Sequence, residues 1–176
     1  MRREIRQAPP LDPAALERLA LRYVERFAIT RGQLADYLVR KIRERGWDGA
    51  PADPAALAQR LADLGYVDDR AFAEAKAGAL GRRGLGGRRV ADALRQARVG
   101  EADAAHVAPA VAERAVDTAL AYARRRRIGP FGADGAAPDL RRRQLAAMLR
   151  AGHGFELSRR IVAAEPAESV DPDDFA

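Results

Sequence analysis

The sequence predicts an all-α protein, arranged as three tandem three-helix repeats that form an elongated, curved molecule. Three observations predict it. Strand signals are nearly absent, since β-branched residues are sparse, asparagine is missing, and no window alternates apolar and polar residues for long. Apolar residues return instead at helical spacing, and matched features recur 55–56 residues apart.

The helix starts carry a shared device. Asp12, Thr30 and Asp68 are good N-cap residues. Each sits inside an apolar pair with the spacing of a hydrophobic staple: Leu11 with Leu16, Ile29 with Leu34, Val67 with Phe72. Asp12-Pro13 and Asp53-Pro54 add proline at the first helical position, where its missing N–H costs nothing. Helices are therefore expected to start near residues 13, 31, 54 and 69, with stops at Gly46, Gly65, Gly84 and Gly100.

Between these signals run narrow apolar stripes. They are Leu34, Tyr37, Leu38 and Ile42; Leu57, Leu61 and Leu64; Val90, Ala93, Leu94 and Ala97; Val116, Ala119, Leu120 and Ala123; and Leu145, Met148 and Leu149. Helices of this length are marginal alone in water, so each must pack on neighbours.

Repetition organises the elements. Leu34/Leu38 returns as Val90/Leu94 after 56 residues and as Leu145/Leu149 after another 55, each time on an arginine-bearing helix. The cap and staple of Leu11-Asp12 return at Val67-Asp68, again 56 residues on. This divides the chain into an extension over 1–11, repeats over 12–65, 66–108 and 109–164, and an acidic tail over 165–176 expected to be disordered. A Gly/Pro-rich loop near 129–138 makes the third repeat the least regular. Stacked repeats touch mainly their own and adjacent units.

Charge points to an anionic partner. The chain holds 31 Lys and Arg against 25 Asp and Glu. Five acids and no base lie in 165–176, which leaves 31 bases against 20 acids elsewhere, a net charge of +11. Only Lys41 and Lys76 are lysines. The planar fork of arginine pairs bidentately with phosphate or carboxylate, so nucleic acid or an acidic protein surface is the natural partner. Cysteine is absent, which excludes disulfides, thiolate chemistry and Cys-ligated metal, and fits a reducing cytosol. No apolar run is long enough to span a membrane, and Pro9-Pro10 stands where a signal core would be. A cytoplasmic protein, without membrane contact, is expected.

Catalytic residues are hard to find. Two histidines, His106 and His153, and two serines, Ser158 and Ser169, suggest no nucleophile with a base and an orienting group, and no helical metal-ligand spacing. Asp68 and Asp69 are adjacent carboxylates, but capping explains Asp68. The stretch Gly81-Arg82-Arg83-Gly84-Leu85-Gly86-Gly87-Arg88 has two glycines of a phosphate loop, yet Gly87 and Arg88 stand where Lys and Ser/Thr belong. It reads as a helix–helix turn whose arginines can still meet phosphate at the next helix's N-terminus. No enzyme, cofactor or metal is expected.

Arginine runs are the binding candidates: Arg82 and Arg83, Arg88 and Arg89, Arg124, Arg125, Arg126 and Arg127, and Arg141, Arg142 and Arg143, with Arg159-Arg160 beside them. Ten aromatic residues fall mostly on apolar stripes or after helix ends, as Trp47 and Phe155 do. Base stacking is therefore not expected, and backbone or protein contacts are favoured.

The central segment resembles the RecX family. The residues that carry it are Gly65-Tyr66-Val67-Asp68-Asp69-Arg70-Ala71-Phe72-Ala73, then Arg82-Arg83-Gly84-Leu85-Gly86-Gly87-Arg88-Arg89-Val90, then Leu94-Arg95-Gln96. The likeness continues through Arg31 to Trp47 and more weakly through Arg141 to Val162. Gly87 stands where the family usually has proline, and Val67 where leucine is commoner. Gly65, Tyr66, Asp68, Asp69, Phe72 and Leu94 are motif residues with mainly structural roles. The resemblance implies three tandem three-helix repeats and a monomeric regulator of the RecA recombinase, active in recombination, DNA repair and the SOS response. Such a protein would lie in the groove of the RecA filament on single-stranded DNA and restrain its growth, ATP hydrolysis and strand exchange; double-stranded DNA is a further candidate partner. The residues alone leave open a second reading, a nucleic-acid-binding protein acting by itself through helix-turn-helix-like units.

Overall fold

The computed structural model describes residues 9–132, 137–167 and 169–175. Among them the chain is all-helical. Nine α-helices follow one another: α1 (Pro13–Val24), α2 (Arg31–Arg45), α3 (Pro54–Asp63), α4 (Asp69–Arg82), α5 (Gly87–Gln96), α6 (Glu101–Glu113), α7 (Ala115–Arg126), α8 (Pro138–Arg150) and α9 (Phe155–Ala163). Two short 3-10 turns lie at Gly129–Phe131 and Pro172–Phe175. Extended pairing is confined to one parallel bridge between Leu11 and Trp47. Residues 1–8 of the expected extension and 133–136 of the expected loop lie outside the described residues, as do Glu168 and Ala176 of the tail.

The caps act as their chemistry requires. Asp12, Asp53 and Asp68 accept from the N–H three residues on, at Ala15, Ala56 and Ala71. Thr30 forms a full capping box with Gln33, each side chain accepting from the other's backbone N–H. Gly46, Gly65 and Gly84 end their helices at positive φ. α7, α8 and α9 carry no side-chain cap.

Three expectations about the elements need correction. The boundary drawn at 108/109 falls inside α6, which runs through Pro109 to Glu113; Pro109 and Ala105 are both exposed, so the carbonyl that the proline leaves without its helical donor faces water. The left-handed residue that ends the turn after α5 is Arg98, at φ 59°, and not Gly100. Leu64 and Tyr66 are 64% and 52% exposed, so neither completes the stripe or the core that α3 builds. Both lie past the end of α3, where the Gly65 reversal turns the chain and the helical period lapses.

The chain divides into two compact units. The first contains residues 9–72 with 97–100. Its core is Leu11, Leu16, Ala20, Leu34, Leu38, Ala58, Leu61 and Val67, with Tyr37, Ile42 and Trp47 packed against it. The second contains 73–96 with 101–175. Its principal core is Ala119, Leu120, Ala123, Ile128, Met148, Ile161, Val162 and Phe175; Val90, Leu94 and Val107 are buried as well. In the stripe of Leu145, Met148 and Leu149, Met148 is the fully buried residue, while Leu145 and Leu149 are half-buried.

One junction occurs twice. In the first unit the hydroxyl of Thr30, before α2, donates to the carbonyl of Ala97 at 2.6 Å. In the second unit the N–H of Gly86, before α5, donates to the carbonyl of Ala151 at 2.9 Å. Thr30 and Gly86 are 56 residues apart, and Ala97 and Ala151 are 54 apart. Glycine close to each contact, Gly32 against Arg98 and Gly86 against Gly152, lets the backbones approach.

Candidate functional site

The arginine runs come to rest in different surroundings, all within the second unit. Arg125, near the end of α7, donates to the carbonyls of Arg82 and Arg83 at the end of α4. A cation there also meets the negative end of the α4 dipole. The side chains of Arg82 and Arg83 stay exposed, so three arginines are gathered at this point.

Arg88 and Arg89 are placed differently. The first turn of α5 faces the turn between α8 and α9, where the Arg88 N–H donates to the Gly152 carbonyl at 3.2 Å and Arg88 Nη2 to the His153 carbonyl at 3.1 Å. These contacts occupy part of the α5 N-terminus, where the arginines were expected to meet a phosphate. The N–H groups of Gly86 and Arg88, which an anion would need, already hold the carbonyls of Ala151 and Gly152.

Four further arginines, Arg124, Arg127, Arg141 and Arg160, meet the acidic tail. Arg141 pairs with Glu165 at 3.1 Å. Arg160 donates to the carbonyls of Asp174 and Phe175. Arg124, stacked over the Phe131 ring at 4.9 Å, and Arg127 line an open cleft of about 690 Å³ whose other wall is Pro166, Ala167, Ser169 and Val170. Where a disordered tail was expected, Phe175 is buried in the core, and its own carbonyl and that of Asp174 are held by Arg160. Arg126 lies over the Tyr122 ring, Arg142 pairs with Asp139, and Arg143 is exposed.

The two histidines have unlike settings. His106 is exposed and meets Glu74 at 3.1 Å. His153 is buried, its Nε2 donating to the Gly84 carbonyl at 3.1 Å and its ring tilted on Tyr122. Burial holds the imidazole below its ordinary pKa, against an opposing pull from the Gly84 hydrogen bond. No group of three or more His, Asp or Glu placed to hold a metal occurs among the described residues. No described helix is long and apolar enough to cross a membrane.

The motif residues divide by burial. Leu94 is core and Phe72 half-buried, while Gly65 makes the left-handed turn. Asp69 is buried and takes both the backbone N–H and the Nε of Arg31. That role was not visible in sequence, because its partner lies 38 residues away.

A second group escaped the sequence reading altogether. In the first unit Tyr23 and Tyr37 stack, Phe27 leans on Tyr23, and Arg26, Arg40 and Lys41 each lie within 6 Å of a ring centre. The signal was present: Tyr23 and Phe27 are four residues apart, and Tyr37, Arg40 and Lys41 share a helical face.

Comparison with known proteins gives concordant results. The chain is 35% identical over 166 residues to the Regulatory protein RecX of Myxococcus xanthus, covering 89% of each. It is 30% identical over 160 residues to the Regulatory protein RecX of Agrobacterium fabrum, covering 86% of this chain and 84% of that one. No family model matches the chain.

Proposed function

The chain belongs to the RecX family, and on that premise we propose that it is a non-catalytic modulator of the RecA recombinase. It binds in the groove of RecA–DNA filaments as a cytoplasmic monomer and restrains filament growth, ATP hydrolysis and strand exchange. The observation that carries this reading is the extent of the likeness, which spans nearly the whole of this chain and of its relative and so includes the segment from Gly65 to Arg89.

The geometry supports it from the side of the protein. Nine helices in sequence among the described residues, with one junction used twice at a 56-residue interval, suit three tandem three-helix repeats. Exposed arginines at Arg82, Arg83 and Arg125 supply the cations that an acidic recombinase surface or DNA phosphates would meet.

The test is DNA-dependent ATP hydrolysis and strand exchange by the cognate RecA, with this protein titrated in. Inhibition near stoichiometric levels is expected. The variant to compare is Arg82→Ala with Arg83→Ala, because only side chains are removed and the carbonyls that hold Arg125 remain. It should weaken filament binding by roughly 1–3 kcal/mol with unchanged helicity. No effect of the parent protein on RecA, with steep salt-dependent duplex binding in its place, would favour the stand-alone DNA-binding reading.

A further inference from the structure

The rings where α1 meets α2 are arranged for more than packing. Tyr23 and Tyr37 stack 3.8 Å apart and 4° from parallel, which ties the two helices together. Phe27, just beyond α1, is tilted on Tyr23 at 5.2 Å yet keeps 49% of its surface in water. Arg26 stands 5.6 Å from the Phe27 ring centre, and Arg40 and Lys41 stand 5.6 and 5.8 Å from that of Tyr37.

A helix-to-helix tie accounts for the tyrosines alone. It requires neither an exposed phenyl ring nor three cations beside the rings. An occupant suited to all of these groups has flat apolar faces and carries negative charge alongside them. Bases strung on a phosphate chain meet both conditions. Duplex DNA keeps its base faces covered, and an acidic peptide brings charge without the flat faces.

We infer that this patch binds single-stranded nucleic acid, with a base stacked on Phe27 and flanking phosphates paired with Arg26, Arg40 and Lys41. Glu44 competes for the last two, reaching Lys41 at 2.6 Å and Arg40 at 3.7 Å. Arg40 and Glu44 are largely exposed, so the exchange of carboxylate for phosphate costs little. The inference rests on the proposed function for its setting, since it names a surface that would meet the DNA strand of a filament. Its test leaves RecA out, so the two fail separately.

The experiment is fluorescence anisotropy of the full chain with labelled oligo(dT) and with a duplex of equal length, over a salt series. Phe27→Leu keeps an apolar contact to Tyr23 but removes the stacking face. It should weaken oligo(dT) binding about tenfold, the scale of one stacked base, with salt slope and duplex affinity unchanged. Arg40→Gln with Lys41→Gln should lower the log–log salt slope by about 1.4, at about 0.7 per phosphate on a single strand. Phe27→Trp adds a signal independent of affinity: its emission should be quenched by oligo(dT) beyond any change of Trp47 in the parent. Oligo(dT) bound by Phe27→Leu as tightly as by the parent, equal weakening on both nucleic acids, or binding without quenching in Phe27→Trp would each overturn the assignment.

Discussion

Asp69, on the first turn of α4, holds the first turn of α2 through Arg31, accepting from its backbone N–H at 2.8 Å and from its Nε at 3.2 Å. A helix start leaves N–H groups that its own turns cannot satisfy, and here one is met by a carboxylate from another helix. The Asp69 side chain is 4% exposed, and its removal leaves the part-buried N–H of Arg31 without its acceptor. Asp69→Ala should cost about 2–3 kcal/mol, and Asp69→Asn, which retains an acceptor, about 1 kcal/mol. Urea denaturation followed by circular dichroism checks both, and equal losses would show that the charge rather than the acceptor matters.

The segment Gly81–Arg88 contains glycines with opposite predicted effects. A Cβ on Gly86 would stand 2.5 Å from the Gly152 carbonyl and 2.7 Å from the His153 nitrogen, all backbone atoms that cannot swing aside. Gly86→Ala should lose 2 kcal/mol or more by prising apart the contact between α5 and the turn after α8. Gly81 lies inside α4, and its added Cβ would meet only the Thr118 methyl at 3.7 Å. Gly81→Ala should therefore stabilise by up to about 1 kcal/mol through helix propensity and unfolded-state entropy. Thermal melts of the two variants should move in opposite directions.

Local signals were legible in the sequence because capping and periodicity act within one turn of chain. Asp12, Thr30, Asp53 and Asp68 declared their helices, and Leu34, Leu38, Val90 and Leu94 their cores. What was hidden depends on contacts between distant residues. The N-terminus of α5 looks open to phosphate until Ala151 and Gly152 occupy part of it. Asp69 looks like a spare neighbour of Asp68 until Arg31 arrives. The tail composition suggested disorder, but one apolar residue, Phe175, anchors it in a core built 52–56 residues earlier around Ala119, Leu120 and Ala123. The aromatic group was overlooked for the same reason, since its three rings lie on α1, on α2 and on the segment between them.

His153 predicts a specific acid sensitivity. The folded chain holds the imidazole below its ordinary pKa of 6.5, chiefly by burial. The unfolded chain therefore binds the proton more readily, and stability rises with pH wherever the two states differ in protonation. The contribution is complete above pH ~6.5 and is lost as pH falls from there through the folded-state value. His153→Gln keeps a donor for the Gly84 carbonyl without the titration. Stability measured from pH 8 to pH 5 should decline less in this variant than in the parent, and parallel declines would remove His153 as the cause.

The tail predicts an effect that separates charge from anchoring. Glu165 pairs with Arg141, and the Asp173–Phe175 segment lies where Arg160 donates to backbone carbonyls, so the negative side chains are held close to basic residues of α8 and α9. An anionic partner approaching those residues meets the repulsion of that segment first. Glu165→Gln, Asp173→Asn and Asp174→Asn together remove three charges and keep both the Phe175 anchor and the carbonyls that Arg160 uses. This variant should bind an anion such as heparin several-fold more tightly at low salt, with the gain fading as the screening length falls below about 10 Å. Its stability should stay within about 0.5 kcal/mol of the parent. Phe175→Ala, by contrast, should cost about 2 kcal/mol and release the segment with its charges intact. If position rather than mere presence of the charges causes the shielding, that variant will also bind heparin more tightly. A salt titration unchanged in the triple variant would mean that the tail packs against the basic residues without guarding them.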